Sequence, residues 1–302
     1  MTLRTADTEG FADFQGHQTW YRVTGELAGD GPPPLVVLHG GPGATSDYLL
    51  TIADLATDGR AVVHYDQLGN GRSTRLPDRA GDGDFWTVDL FVRELANLIG
   101  HLGLTDYHVL GQSWGGFLAQ EHALTHPPGL RSLVLADTAA SFPAFVDQAN
   151  LLRAQLPAEV EATLRRHEEA GSTDDPEYAA ACQVFYDRHV CRVVPNPPEV
   201  AASFQAIEDD PTVYHTMNGP SEFHVIGSIK DWSSESRLAG IDVPTLLVSG
   251  RYDEATPALQ QRLAAGIRGA EWTIFEESSH LPHVEDRERY LQVVGDWLRR
   301  ND

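Results

Sequence analysis

Residues 111–116 read Gly-Gln-Ser-Trp-Gly-Gly, which puts Ser113 at the centre of a G-x-S-x-G string. A serine hydroxyl is a weak nucleophile until a base takes its proton, and acyl transfer requires that it stand clear of the backbone around it. A sharp turn from a strand into a helix presents it that way, and glycines permit the tight chain path. The flanks suit such a turn. The apolar run Tyr107–Leu110 precedes the string, and a helical pattern from Phe117 to Leu124 follows it.

The base and the acid that orients it must come from elsewhere in the chain. Downstream, Leu246–Gly250 leads into Arg251-Tyr252-Asp253-Glu254, and Trp272–Phe275 leads into Glu276-Glu277-Ser278-Ser279-His280. Asp253 and His280 therefore follow the carboxyl ends of consecutive strands, the edge where open α/β sheets build their sites. Asp253 is the expected orienting acid and His280 the expected base. His283 is the rival base; His280 is preferred because it comes earlier in the loop and follows Ser-Ser directly. Asp242 precedes its strand and so lies at the wrong end. The other eleven histidines, His64 and His122 among them, read as structural or exposed. The developing oxyanion needs fixed donors. The backbone N–H of Trp114, next after the serine, is one candidate. The other is an N–H from the loop His39-Gly40-Gly41-Pro42-Gly43, assigned to Gly41.

Strands and helices must alternate to hold these residues. Trp20–Val23, Pro34–Leu38, Ala61–Tyr65, Leu130–Leu135, Pro244–Val248 and Trp272–Phe275 read as strands beside the one before Ser113. Helical patterns run over Thr87–Leu102, with Val88, Phe91, Leu95, Leu98 and Ile99 on one face, and over Arg287–Leu298. Strands separated by helices predict an α/β fold with a mostly parallel sheet covered on both faces. Between 138 and 240 the strand signal stops. Residues 143–215 are rich in Ala, Glu, Gln and Leu and punctuated by prolines, which predicts short helices. The expected organisation is a core of residues 1–137 and 241–302 with a helical cap, 138–240, inserted after a core strand.

Four strings carry a more specific resemblance: His39-Gly40-Gly41-Pro42-Gly43, Asp66-Gln67-Leu68-Gly69-Asn70-Gly71-Arg72-Ser73, Gly111–Gly116 and Ser278-Ser279-His280. With Asn218-Gly219-Pro220-Ser221-Glu222-Phe223 they make the chain similar to the proline iminopeptidase family of α/β-hydrolases, from about residue 10 to the C-terminus and thinly over 140–215. The resemblance implies an α/β-hydrolase fold with a cap. It implies a serine hydrolase that releases an N-terminal residue, proline or another small or apolar one, from peptides or amino acid amides. It also implies carboxylates for the substrate's amine, which fall on Glu222 and Glu254. Asp66 reads as loop structure, paired with Arg72. An esterase or lactonase of the same fold, indifferent to the amine, is the alternative.

Composition bounds the remaining choices. The chain has 302 residues, 41% of them hydrophobic, with 44 acidic against 22 basic and a formal charge of −22. An acidic surface repels phosphate backbones, so no nucleic-acid partner is expected. Lys230 is the single lysine, a matter of base composition. No run approaches the ~20 apolar residues of a membrane span, and residues 1–14 hold no signal-peptide core. A cytoplasmic enzyme without membrane partner is the expectation. No metal-binding spacing such as H-E-x-x-H occurs, and neither metal nor organic cofactor is expected. Whether Cys182 and Cys191 pair is left open by their spacing, and so is the oligomeric state.

Overall fold

The structure is a computed structural model, and it describes residues 4, 6–27, 31–57 and 59–302. Eight strands form one sheet: β1 (Thr8–Phe14), β2 (His17–Thr24), β3 (Leu35–Leu38), β4 (Val62–Tyr65), β5 (Tyr107–Gln112), β6 (Leu130–Ala136), β7 (Thr245–Gly250) and β8 (Glu271–Phe275). Their order is β1-β2-β4-β3-β5-β6-β7-β8; β1 and β2 pair antiparallel, β2 is antiparallel to β4, and all later pairings are parallel. Residues of β3, β4, β5 and β7 are buried throughout, as expected of strands covered on both faces. The sequence pattern predicts one strand before residue 30, but a hairpin stands there. Its turn residues, Gln15 and Gly16, have φ of 52° and 83°, the left-handed pair that matches strand twist. β1 escapes a periodicity reading because its outward positions, Glu9 and Asp13 among them, leave only Ala12 and Phe14 fully buried.

Helices α1 (Val88–His101), α2 (Trp114–Leu124), α8 (Pro257–Gly266), α9 (Pro282–Glu285) and α10 (Arg287–Arg300) belong to the core. Thr87 caps α1 by accepting the Leu90 N–H, and its inner face buries Phe91, Leu95, Leu98 and Ile99 as the pattern predicts. That face also buries Glu94, whose carboxyl accepts the Leu68 N–H at 2.8 Å. Burial pushes Glu94 up to about 7.

Between β6 and β7 the described residues contain α3 (Phe142–Arg153), α4 (Ala158–Ala170), α5 (Pro176–His189), α6 (Pro198–Asp209) and α7 (Thr212–Met217), with an isolated bridge between Ser141 and Ser233. Prolines occupy the first turns of α3, α5 and α6, where a missing N–H costs nothing. This layer is bound to the core at both flanks. The Phe117 ring stacks on Phe142 at 4.5 Å and meets Trp232 edge-on at 4.9 Å. Ser203 Oγ bonds Thr45 Oγ1 at 2.8 Å and accepts the Tyr48 N–H. Cys182 and Cys191 are buried free thiols. Among the described residues no helix is long and apolar enough to cross a membrane.

Candidate active site

The end of β5 turns into α2 at Ser113, whose φ of 54° and ψ of −124° lie outside the regions an L-residue ordinarily adopts. Surrounding bonds hold it there. The Ser113 N–H donates to Ala136 O at 2.9 Å, and its carbonyl accepts from the Gly116 N–H and the Thr138 hydroxyl, each at 2.8 Å. The flanking glycines are required by contact. A Cβ on Gly111 would sit 2.1 Å from Gly115 O, and one on Gly115 would sit 2.2 Å from Leu38 O. The turn thus closes only with hydrogen at both positions.

β7 and β8 deliver Asp253 and His280 to the same edge. His280 Nδ1 lies 2.6 Å from Asp253 Oδ1, which also accepts the Ala255 N–H at 2.8 Å. Both side chains are buried. Burial opposes the charged imidazole, but the Asp253 carboxylate and its hydrogen bond outweigh that, and His280 is raised above its usual 6.5. His280 is steadied from behind. Glu285 accepts the Ser279 N–H and hydroxyl, and Gln112 donates to the His280 carbonyl at 3.1 Å. Among the described residues no bond joins Ser113 Oγ to His280 Nε2. The two line one pocket, and such contacts often tighten only when substrate arrives.

His283 lies elsewhere. It is buried under Tyr48 and Tyr290, its ring centroid 5.8 and 5.7 Å from theirs, with Nε2 bonded to Tyr48 O at 3.1 Å. Burial holds its pKa near 3. His64 and His122 are likewise buried, bonded to Leu49 O and the Tyr107 hydroxyl. Asp242 is exposed, 3.4 Å from His126. Replacing His283 with Ala should therefore cost about 2–4 kcal/mol of stability from the cavity it leaves. Turnover at a permissive temperature should stay within roughly tenfold of wild type, whereas His280→Ala should match the loss of Ser113 itself. Thermal melts with initial rates for both variants check this; the opposite ranking of rates would move the base to position 283.

The loop 39–43 faces Ser113. A Cβ on Gly40 would lie 2.9 Å from Ser113 Cβ, and Gly41 has a φ of 108°. Tyr48 sets the loop's height: its hydroxyl accepts the Gly40 N–H at 2.7 Å and donates to Gln112 Oε1. His39 locks the loop to the Asp66–Ser73 string. Its Nε2 accepts the Gln67 N–H at 2.9 Å, its carbonyl accepts from Gln67 Nε2, and Gln67 Oε1 takes the Trp114 indole N–H. Asp66 pairs with Arg72 at 3.0 Å as expected and also accepts the Ser46 N–H and hydroxyl. Two motifs distant in sequence thus form one scaffold behind the serine. Tyr48 and Gln112 were not singled out by the sequence; a lone tyrosine in an apolar segment gives no signal.

Glu222 and Glu254 line the pocket with Ser113, His280 and Gly41. Glu222 accepts the Tyr214 hydroxyl at 2.6 Å. Glu254 Oε1 is 3.7 Å from His280 Nε2, and its Oε2 is buried without a donor. Among the described residues neither forms an ion pair with Arg or Lys. Burial raises both carboxyls, and for Glu254 repulsion from Glu222 and Asp253 adds to it. A second, small lobe beside Ser113 has an apolar wall of Phe117, Ala139, Phe142, Phe145 and Ala255 and is closed by Asp137, Thr138, Glu222 and His280. On the other side, a cavity of about 460 Å³ among α5, α6 and α7 shares Val190, Phe204, Ile207 and Glu222 with the pocket.

Residues 33–287 match the α/β hydrolase fold family. The proline iminopeptidase of Heyndrickxia coagulans is 38% identical over 291 residues, 96% of this chain and 98% of that one. The chain belongs to the proline iminopeptidase family of α/β-hydrolases. Among solved structures, the proline iminopeptidase of Mycobacterium smegmatis is 47% identical with a TM-score of 0.89, covering 97% of this chain and 98% of its own. VinJ is 50% identical with a TM-score of 0.96, covering 99% and 100%. Membership makes the chain an enzyme of the α/β-hydrolase class.

Proposed function

We propose that this enzyme is a serine aminopeptidase that releases a small N-terminal residue, proline foremost, from short peptides or amino acid amides. The observation that carries the reading is the pair Glu222 and Glu254. A buried carboxylate, Glu254, beside a half-buried one, Glu222, is costly with no Arg or Lys partner, and here both face the pocket that holds Ser113. A substrate ammonium supplies the missing charge. In this reading residues 138–240 are the cap, and the substrate lies between it and the core formed by 1–137 and 241–302.

The chemistry runs in two halves. His280 takes the Ser113 proton as Oγ attacks the first residue's carbonyl, and Asp253 orients the imidazole and stabilises its charged form. The Gly41 and Trp114 N–H groups receive the oxyanion. His280 passes the proton to the departing amine, and the C–N bond breaks. Water, activated by the same histidine, then splits the acyl-enzyme and returns the proton to Ser113. The leaving portion has the cavity among α5, α6 and α7 as its path. The cytoplasm is the compartment this reading takes, where the unpaired thiols of Cys182 and Cys191 would stay reduced.

In this reading the first side chain lies at the small lobe walled by Phe117, Phe142 and Phe145, where a tight apolar surface favours a pyrrolidine ring or a methyl group over longer chains. Prolyl and alanyl arylamides should therefore exceed leucyl and phenylalanyl ones by roughly 10- to 200-fold in kcat/KM, and Phe145→Ala should narrow that gap. Initial rates on these arylamides, proline amide and a simple acyl ester test the function as a whole. An acyl ester turned over faster than every aminoacyl substrate would overturn it in favour of an esterase.

A further inference from the structure

Asp137 directly follows β6, and its φ of 50° is left-handed, a conformation aspartate tolerates better than most residues. Its N–H donates to Val248 O at 2.9 Å, and its Oδ1 accepts the Gly250 N–H at 3.1 Å. The side chain is thereby pinned to the end of β7, the strand that delivers Asp253. It is fully buried, and its Oδ2 receives no donor from any described residue. Asp253 is the counterpart. Its Oδ1 serves His280 and the Ala255 N–H, while its buried Oδ2 also receives no donor. The bond to Gly250, three residues before Asp253, brings the two orphaned oxygens to the same strand end. The other titratable groups about Asp137 are Glu285 and the hydroxyls of Tyr48 and Tyr290, and His280 and Glu222 line a small pocket with it.

Two ionised carboxylates cannot share such a dry site, but one proton between them satisfies both orphaned oxygens. We propose that Asp137 is held as a neutral carboxylic acid and donates its proton to Asp253 Oδ2, acting as a positioning residue for the Asp253–His280 pair. The proposal rests on that pair being the working acid and base. Burial, then repulsion from Asp253 and the hydrogen bond to it, push the Asp137 carboxyl well above its ordinary range. The shared proton turns Asp253 so that Oδ1 faces His280. It also leaves a single negative charge on the Asp137–Asp253 pair behind the imidazole.

Asn and Ala at position 137 separate charge from hydrogen bonding. Asp137→Asn keeps a donor for Asp253 and an acceptor for Gly250 without changing charge. By NMR titration it should leave the His280 pKa within about 0.3 of wild type, with kcat within roughly threefold. Asp137→Ala removes the donor and should lower kcat by roughly 10- to 100-fold with KM little changed. Were Asp137 ionised, Asp137→Asn would delete a nearby negative charge and the His280 pKa would fall by about one unit or more. In wild type labelled selectively with ¹³C-aspartate, infrared spectra at neutral pH should contain a protonated-carboxyl band that Asp137→Asn removes. A fall in the His280 pKa, absence of that band in wild type, or an Ala variant as active as the Asn one overturns the proposal. The titration and the spectrum do not depend on turnover, so a wild type inactive on aminoacyl substrates would strike the functional reading alone.

Discussion

Ser113→Ala is expected to leave a folded protein that has lost activity by a factor on the order of 10⁴ or more. The fold should survive because the bonds that hold the elbow run through backbone atoms. The Ser113 N–H to Ala136 O, the Thr138 hydroxyl to Ser113 O and the Gly116 N–H to Ser113 O all persist when the hydroxyl is removed. Alanine takes the strained backbone no worse than serine does. The chemistry should not survive, because the hydroxyls nearest the serine are engaged elsewhere: Thr138 is committed to the Ser113 carbonyl, and Ser279 to Glu285. Binding and the oxyanion donors would supply the residual rate. A stoichiometric burst of leaving group from wild type, absent in the variant, would report the acyl-enzyme itself. A purified, folded variant keeping more than a few per cent of wild-type turnover would sink the assignment.

The parts of this site that could be read in the sequence are those whose chemistry forces a local pattern. The elbow needs hydrogen in place of Cβ at Gly111 and Gly115, so the motif is written as glycine. The apolar strands β3, β5 and β7 are buried on both faces and read as unbroken runs. Their carboxyl ends then point to Asp253 and lead on, by β8, to His280. Illegible were the contacts made by residues with no pattern of their own. Tyr48 reaches Gly40 and Gln112 only once the segment 46–55 folds back under the oxyanion loop. Glu285 becomes a brace for Ser279 only through the turn into α9. Asp137 gave no signal because its partner lies more than a hundred residues away, across two adjacent strand ends. Helices α3, α5 and α6 were legible as helices from their prolines. The packing of the cap on the pocket was not, because it depends on Ser203, Tyr214 and Trp232 meeting the core.

N-acetylation of the substrate should abolish cleavage by the wild type, and the two glutamates are the reason. Each charge-assisted bond to a desolvated ammonium contributes roughly 1.5–3 kcal/mol. Glu222→Gln or Glu254→Gln should accordingly lower kcat/KM on free-amine substrates by about 10- to 100-fold. Either change should cost far less on an acyl ester. Stability should move the other way. Burial, with repulsion from Glu222 and Asp253, raises Glu254 in the folded state well above its unfolded value. An acid raised on folding gives full stability below its unfolded pKa and loses it as pH climbs through the folded one. Free enzyme therefore carries a cost at neutral pH that glutamine removes, and Glu254→Gln should melt higher than wild type at pH 7. The gap should close near pH 4.5, where the unfolded carboxyl also takes its proton. A residue that weakens the fold while empty and is needed for turnover is one placed for a ligand. Thermal melts of both enzymes at the two pH values, with rates on a free and an N-acetylated prolyl arylamide, decide the question. Equal cleavage of the two arylamides by wild type would refute the aminopeptidase reading. A Glu254→Gln variant no more stable than wild type at pH 7 would mean that carboxylate is not the uncompensated charge awaiting an ammonium.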